Sequence, residues 1–161
     1  MKLNFLSGSN PREGFINLDA HQYKGKTDVV FYVDCKEPLP FKDNTFEYII
    51  ADNALEHITD KIWIMNELYR ILQPDGVLEA IIPSTESMGA FQDPTHVSFW
   101  NYNSMAYFCV ENNLYWQYKD AYKITCAFTV LDYQRIEINS KGWYGYGNEH
   151  NMVFDKWVLK K

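Results

Sequence analysis

Apolar residues gather in short runs along the first half of the chain, and four of these runs close on a small polar or acidic residue. Leu3-Asn4-Phe5-Leu6 empties into the turn formers Ser7-Gly8-Ser9-Asn10-Pro11, and Phe15-Ile16-Asn17-Leu18 stops at Asp19. Val29-Val30-Phe31-Tyr32-Val33 stops at Asp34, and residues 46–51 stop at Asp52. A run apolar on both faces suits a strand buried in a parallel sheet, so the pattern predicts four strands whose C-terminal ends share one ligand crevice. Ile64, Leu68, Ile71 and Leu72 then keep helical spacing, which predicts a helix capped by Thr59 or Asp60 and ended by Pro74-Asp75-Gly76. Residues 77–82 read as a fifth strand, and residues 84–100 as a long polar and aromatic loop of the kind that carries function. Asn101 is placed to cap a second helix to about residue 112. Residues 123–138 and 151–159 read as an antiparallel hairpin joined by the glycine-bearing loop 140–150.

The gaps between the first four strands are too short for ordinary crossovers. Stretches 7–14, 20–28 and 35–45 hold 8 to 11 residues each, whereas a parallel connection usually takes a dozen or more and includes a helix. Few helices are therefore expected on one face of the sheet. A second copy of the chain would cover that face, which predicts a homodimer; alternatively the aromatic surplus of 17% fills one compact core.

With 161 residues, 47% of them hydrophobic, the chain suits one globular domain spanning residues 1–161, and no linker or repeat divides it. A formal charge of -6 and a pI near 5.1 make it a poor match for a phosphate backbone, so nucleic acid is not the expected partner. No apolar run reaches the ~18 to 20 residues of a spanning helix, and the opening Met1-Lys2-Leu3 has no signal-peptide core, so a cytoplasmic protein without membrane contact is expected. Cys35, Cys109 and Cys126 lie far apart with no C-x-x-C pair, which predicts free thiols and no metal.

The order of these segments resembles one family. Residues 3–19, from Leu3-Asn4-Phe5-Leu6-Ser7-Gly8 to Asn17-Leu18-Asp19, resemble the opening of small class I S-adenosylmethionine-dependent methyltransferases. Pro38-Leu39-Pro40-Phe41-Lys42-Asp43-Asn44-Thr45-Phe46-Glu47 is similar to that family's approach to its fourth strand, and Ala54-Leu55-Glu56-His57 to the segment after it. Glu67-Leu68-Tyr69-Arg70-Ile71-Leu72-Gln73-Pro74-Asp75-Gly76 looks like its helix and turn, and Asp93-Pro94-Thr95-His96 with Phe99 like the substrate-side loop of the short type-11-like branch. Each piece alone is weak; five in order over residues 3 to about 108 are strong. Where the family carries its first motif glycine, this chain has Leu6.

The resemblance implies a Rossmann-like class I methyltransferase fold in the α/β class, with a mostly parallel sheet and an antiparallel C-terminal hairpin. It implies S-adenosylmethionine as cofactor and a small-molecule acceptor. By the same resemblance Ser7 and Gly8 lie against the methionine portion, Asp19 accepts from the ribose hydroxyls, Asp34 and the Cys35 backbone meet the adenine, and Asp52 and Asn53 meet the ammonium or the transferred methyl. Each of these is also an ordinary turn former at a strand end. His96 is the candidate catalytic base; the other reading has it bonding locally to Asp93 and shaping the loop. Glu56 and His57 read as helix-start or core polar residues. Trp100, Tyr102, Trp143, Tyr144 and Tyr146 are candidate walls of an acceptor pocket. The alternative function is a catalytically degenerate module for binding or oligomerisation, which Leu6 favours; an oxidoreductase is disfavoured because no G-x-G-x-x-G opens a helix.

Overall fold

A computed structural model describes residues 1–23, 25–140 and 150–161, with the side chains of 139, 140, 150 and 151 left out. Seven strands form its sheet: β1 (Lys2–Phe5), β2 (Ile16–Asp19), β3 (Val29–Val30), β4 (Phe46–Asp52), β5 (Leu72–Pro83), β6 (Thr129–Ser140) and β7 (His150–Lys160). Their order is β3-β2-β1-β4-β5-β7-β6. The first five are parallel, and β7 runs antiparallel to both of its neighbours. Strand order reverses between β1 and β4, and a sheet of this kind opens its ligand crevice where that happens, at the carboxyl ends of those strands.

Strand register explains why the two sheet faces differ. Leu3, Ile49, Leu78 and Leu159 stand side by side on one face, with Leu18, Phe5, Ala51, Ala80 and Trp157 further along it, and all are buried. The principal helix, α1 (Lys61–Ile71), contributes Ile64, Met65, Leu68 and Ile71 to the same core. The other face carries Asn17, Asn4, Ile50, Glu79 and Val158 in one row, so it is largely polar. Asn4 donates to Asn17, Tyr48 donates to Glu79, and Lys156 pairs with Glu79. A face laced this way tolerates water, and its chemistry gives no reason for a second copy as an apolar cover.

No helix connects β1 to β2, β2 to β3 or β3 to β4 among the described residues. Side chains hold these short loops instead: the Asn17 side-chain oxygen accepts from Arg12 N, and Asp28 accepts from Asn17 N and Nδ2. Those last two bonds hold the Asp28 carboxyl below its usual range, the backbone donor being the larger cause.

α1 begins as its sequence predicts. Asp60 accepts from Ile62 N and Trp63 N, a cap worth about 1 kcal/mol. Its end differs: Pro74-Asp75-Gly76 does not separate helix from strand, because β5 starts at Leu72 opposite Phe46 and takes the turn as an irregularity in its ladder. Asp75 sits there at φ 64, and a β-carbon on Gly76 would stand 2.8 Å from Gln73 O.

Three other boundaries differ from the sequence pattern. β3 covers two residues rather than five because β2 ends at Asp19, whose carbonyl takes Phe31 N as the last rung. The helix capped by Asn101 is the single turn α3 (Tyr102–Met105), which comes after another, α2 (Gly89–Gln92). Beyond it Val110 N donates to Phe128 O and Phe128 N to Phe108 O, and this bridge pulls the chain out of helical geometry. A short helix, α4 (Asn113–Tyr118), leads on to the hairpin, which starts at Thr129 rather than 123. No helix among the described residues is long and apolar enough to cross a membrane.

Candidate active site

The loop leaving β1 has the backbone of a glycine-rich turn although only one of its residues is glycine. Leu6 lies at φ 51 and Gly8 at φ 53, both left-handed. Such a conformation costs a β-carbon roughly 1 kcal/mol or more, and the Leu6 side chain offsets this by packing against the core. Ser7 N donates to Leu18 O, which ties the loop to β2. Asp19, 7% exposed at the end of β2, closes the arrangement by accepting from Gly8 N at 2.9 Å and His21 N at 3.0 Å. Ser7, Gly8 and Asp19 thus come together as one unit.

The other predicted residues sit around it more loosely. Asp52 ends β4 half-exposed, 3.1 Å from Arg12 Nη2, and accepts from Asn53 Nδ2. Asn53 itself is left-handed at φ 50, its N–H donating to Ile81 O. Asp34 is exposed and accepts from Lys36 N and then Glu37 N, bonds that hold its carboxyl below the usual range. Cys35 is next, at φ 62 with Sγ 3.7 Å from Thr59 Oγ1.

Glu56, His57 and His96 form a cluster that sequence spacing did not reveal, with one ligand-type atom of each within 4.8 Å of the others. Glu56 lies in a single 3-10 turn, Leu55–His57, and is 2% exposed with neither carboxyl oxygen hydrogen-bonded among the described residues. Burial pushes its carboxyl up to about 7, and the charges of Asp52 and Asp93 add to the shift. The 93–98 loop closes over it, Val97 N and Ser98 N both donating to Glu56 O. His96, the expected base, donates from Nδ1 to Ala90 O at 2.9 Å, so the lone pair is on Nε2, which faces Glu56 Oε1 at 3.9 Å. The expectation of no metal came from cysteine spacing alone; imidazoles and a carboxylate supply a different donor set.

Behind the same loop opens a cleft of about 750 Å³, lined by Thr59, Lys61, Val97, Phe99, Tyr107 and Tyr122 among others. Lys61 donates to Phe99 O and lies 4.8 Å from the Trp100 ring, and burial lowers its pKa. Of the aromatic walls the sequence suggested, Trp100 is buried and Tyr102 packs on Tyr133 and Trp157, while Trp143, Tyr144 and Tyr146 lie outside the described residues.

This strand order, with its crevice at the β1 and β4 ends, is the Rossmann-like fold of class I methyltransferases, and residues 6–80 match the family model described as Methyltransferase domain. The match, just under half of the chain, is a likeness to that family, whose expected cofactor is S-adenosylmethionine. Among curated relatives, the demethylmenaquinone methyltransferase of Bacillus pumilus is 31% identical over 61 residues, 38% of this chain and 26% of that enzyme. The chain thus spans about a quarter of the length of such relatives. Among solved structures, the YcgJ protein of Bacillus subtilis superposes with TM-score 0.61 at 15% identity, covering 99% of this chain and 89% of that one. A methyltransferase of Methanosarcina mazei, described as S-adenosylmethionine-dependent, gives TM-score 0.61 at 12% identity, with 99% and 91% covered. Identities this low speak for the fold. The residues present also fit the cofactor: among the described residues Ser7 Oγ is buried without a partner, and no atom beyond the chain neighbours stands within 4 Å of the place a Gly8 β-carbon would take.

Proposed function

We propose that this protein transfers the methyl group of S-adenosylmethionine to a small-molecule acceptor. The observation that carries the reading is the β1 loop, which keeps left-handed backbone at Leu6 and Gly8 and leaves a buried, unpartnered Ser7 hydroxyl beside open space. In this reading Ser7 and Gly8 hold the methionine portion, Asp19 the ribose, Asp34 and Cys35 the adenine, and Asp52 and Asn53 the end bearing the methyl. The bound cofactor supplies an electrophilic sulfonium methyl. The protein's share is alignment, since in-line displacement depends on holding the nucleophile close and straight. In the same reading His96 stands at the acceptor end, and the adjoining open cleft, walled by Phe99, Tyr107 and Tyr122, offers apolar contact to an acceptor body. The net charge of -6 argues against a nucleic-acid acceptor.

The reading places the enzyme in the cytoplasm. The degenerate-module alternative has less behind it, because the backbone at Leu6 keeps the left-handed turn and its side chain packs against the core. Calorimetric titration with S-adenosylmethionine and S-adenosylhomocysteine is expected to show one equivalent of each bound; no heat with either at millimolar concentration removes the proposal. A homodimer rests on the exposed edge residues Val30 and Tyr32 at β3, and a monomer in sedimentation at micromolar concentration removes that part.

A further inference from the structure

We propose that Glu56, His57 and His96 bind a divalent first-row metal ion of the zinc class at the acceptor end of the crevice. Two imidazoles and one carboxylate are a sufficient protein donor set for such an ion and leave a coordination position open. The hydrogen bonds around the cluster fix the tautomer of both imidazoles. Ala90 O accepts from His96 Nδ1, which leaves the Nε2 lone pair free toward Glu56. Thr95 Oγ1 donates to Asp93 Oδ1, so the Thr95 hydroxyl and carbonyl oxygens can only accept from His57 Nδ1, at 3.2 and 3.1 Å. The lone pair of His57 is therefore on Nε2 as well. Backbone and carboxylate partners of this kind are what orient metal-bound histidines.

Glu56 supplies the second, independent observation. A carboxyl group 2% exposed, with neither oxygen hydrogen-bonded among the described residues, is an unanswered buried polar group that a cation would satisfy. The donor atoms lie within 4.8 Å of one another, whereas tetrahedral ligands about 2.1 Å from an ion stand ~3.4 Å apart. Closing that difference needs shifts of about 1 Å, within reach of the half-buried His57 ring.

Resting on the methyl-transfer reading, the site selects a hydroxyl acceptor. The acceptor oxygen takes the open position and releases its proton to solvent water, its acidity raised by the ion. A lone pair on that oxygen then bonds the methyl carbon while the carbon–sulfur bond breaks, its electron pair remaining on sulfur.

The test is titration of the purified chain with Zn²⁺ by calorimetry and with Co²⁺ by visible absorption. One equivalent is expected, with cobalt bands that lack sulfur-to-metal charge transfer. His57→Ala and His96→Ala should each weaken binding by more than about 100-fold, since losing even a partner behind a ligand costs about 10 to 100-fold. Glu56→Gln should do the same while keeping the fold, checked by thermal melting, and His21→Ala, at an exposed histidine outside the cluster, should leave metal binding unchanged. Absence of saturable binding overturns the site, as does binding that survives both histidine substitutions or disappears with His21→Ala. Cofactor titration of the same samples separates the two readings: metal uptake without S-adenosylmethionine binding keeps the site and removes methyl transfer, and the opposite pattern does the reverse.

Discussion

Asp19→Ala is expected to abolish S-adenosylmethionine binding at concentrations where the wild type saturates, and to lower the melting temperature by roughly 6 to 12 °C in a protein of this size. Both effects come from one side chain. The carboxylate is 7% exposed and accepts from Gly8 N and His21 N, so it fixes the β1 loop to the start of the β2 loop. Hydrogen bonds to a charged group are worth about 1.5 to 3 kcal/mol each, and losing two puts the cost on the order of 3 kcal/mol. Asp19→Asn keeps one acceptor oxygen and turns a donor toward the other N–H, so it should fall between wild type and alanine in melting. Calorimetry and thermal denaturation of the three proteins check this. A loss below about 1 kcal/mol with unchanged cofactor affinity would make Asp19 the plain turn residue that its position also allows.

The three strand-end aspartates show how much of the site was legible. Sequence alone placed Asp19, Asp34 and Asp52 at equivalent points, because each comes after an apolar run. Their surroundings differ. Asp19 is buried and bonded across two loops, Asp52 is paired with Arg12 from the β1 to β2 connection, and Asp34 is exposed and bonded within its own turn. Periodicity reports which residues end a strand and says nothing of which loop folds over the end. Asp60 and the buried face of α1 were legible because capping and helical spacing are local. The length of β3 was not, because it is set by where its neighbour β2 stops.

Long-range closure hid the Glu56, His57 and His96 cluster for the same reason. His57 and Thr95 are 38 positions apart, and Glu56 becomes buried only when Val97 N, Ser98 N and the Ser98 hydroxyl bond to the 55–56 backbone. Leu6 is the converse case. Its identity argued against a glycine-type turn, yet the backbone adopts that turn and the side chain packs against the core. A residue-type rule is thus weaker than the conformation it stands for when packing can offset the strain.

Arg70→Ala should destabilise the fold by about 3 kcal/mol, far more than surface ion pairs usually contribute. Arg70 is 26% exposed in its side chain, and its Nε and Nη2 donate to the two oxygens of Glu67 at 2.7 Å each. The same guanidinium donates to Phe41 O and Asp43 Oδ1 at 2.8 Å and to Leu39 O at 3.2 Å, while Glu67 also accepts from Leu39 N. This set clamps residues 39–43 to α1 and keeps Leu39 buried and Phe41 against Phe46. Removing the guanidinium takes two hydrogen bonds from Glu67, 12% exposed, and the Arg70 donor from Phe41 O, while Leu39 O keeps Phe41 N. Arg70→Lys restores the charge without the fork and should recover less than half of the loss. The clamped segment lies just after Asp34 and Cys35, so both variants should weaken cofactor binding as well as stability. Urea denaturation decides the point: a cost near that of an exposed pair, under about 1 kcal/mol, would mean that the loop is held by Leu39 and Phe41 alone.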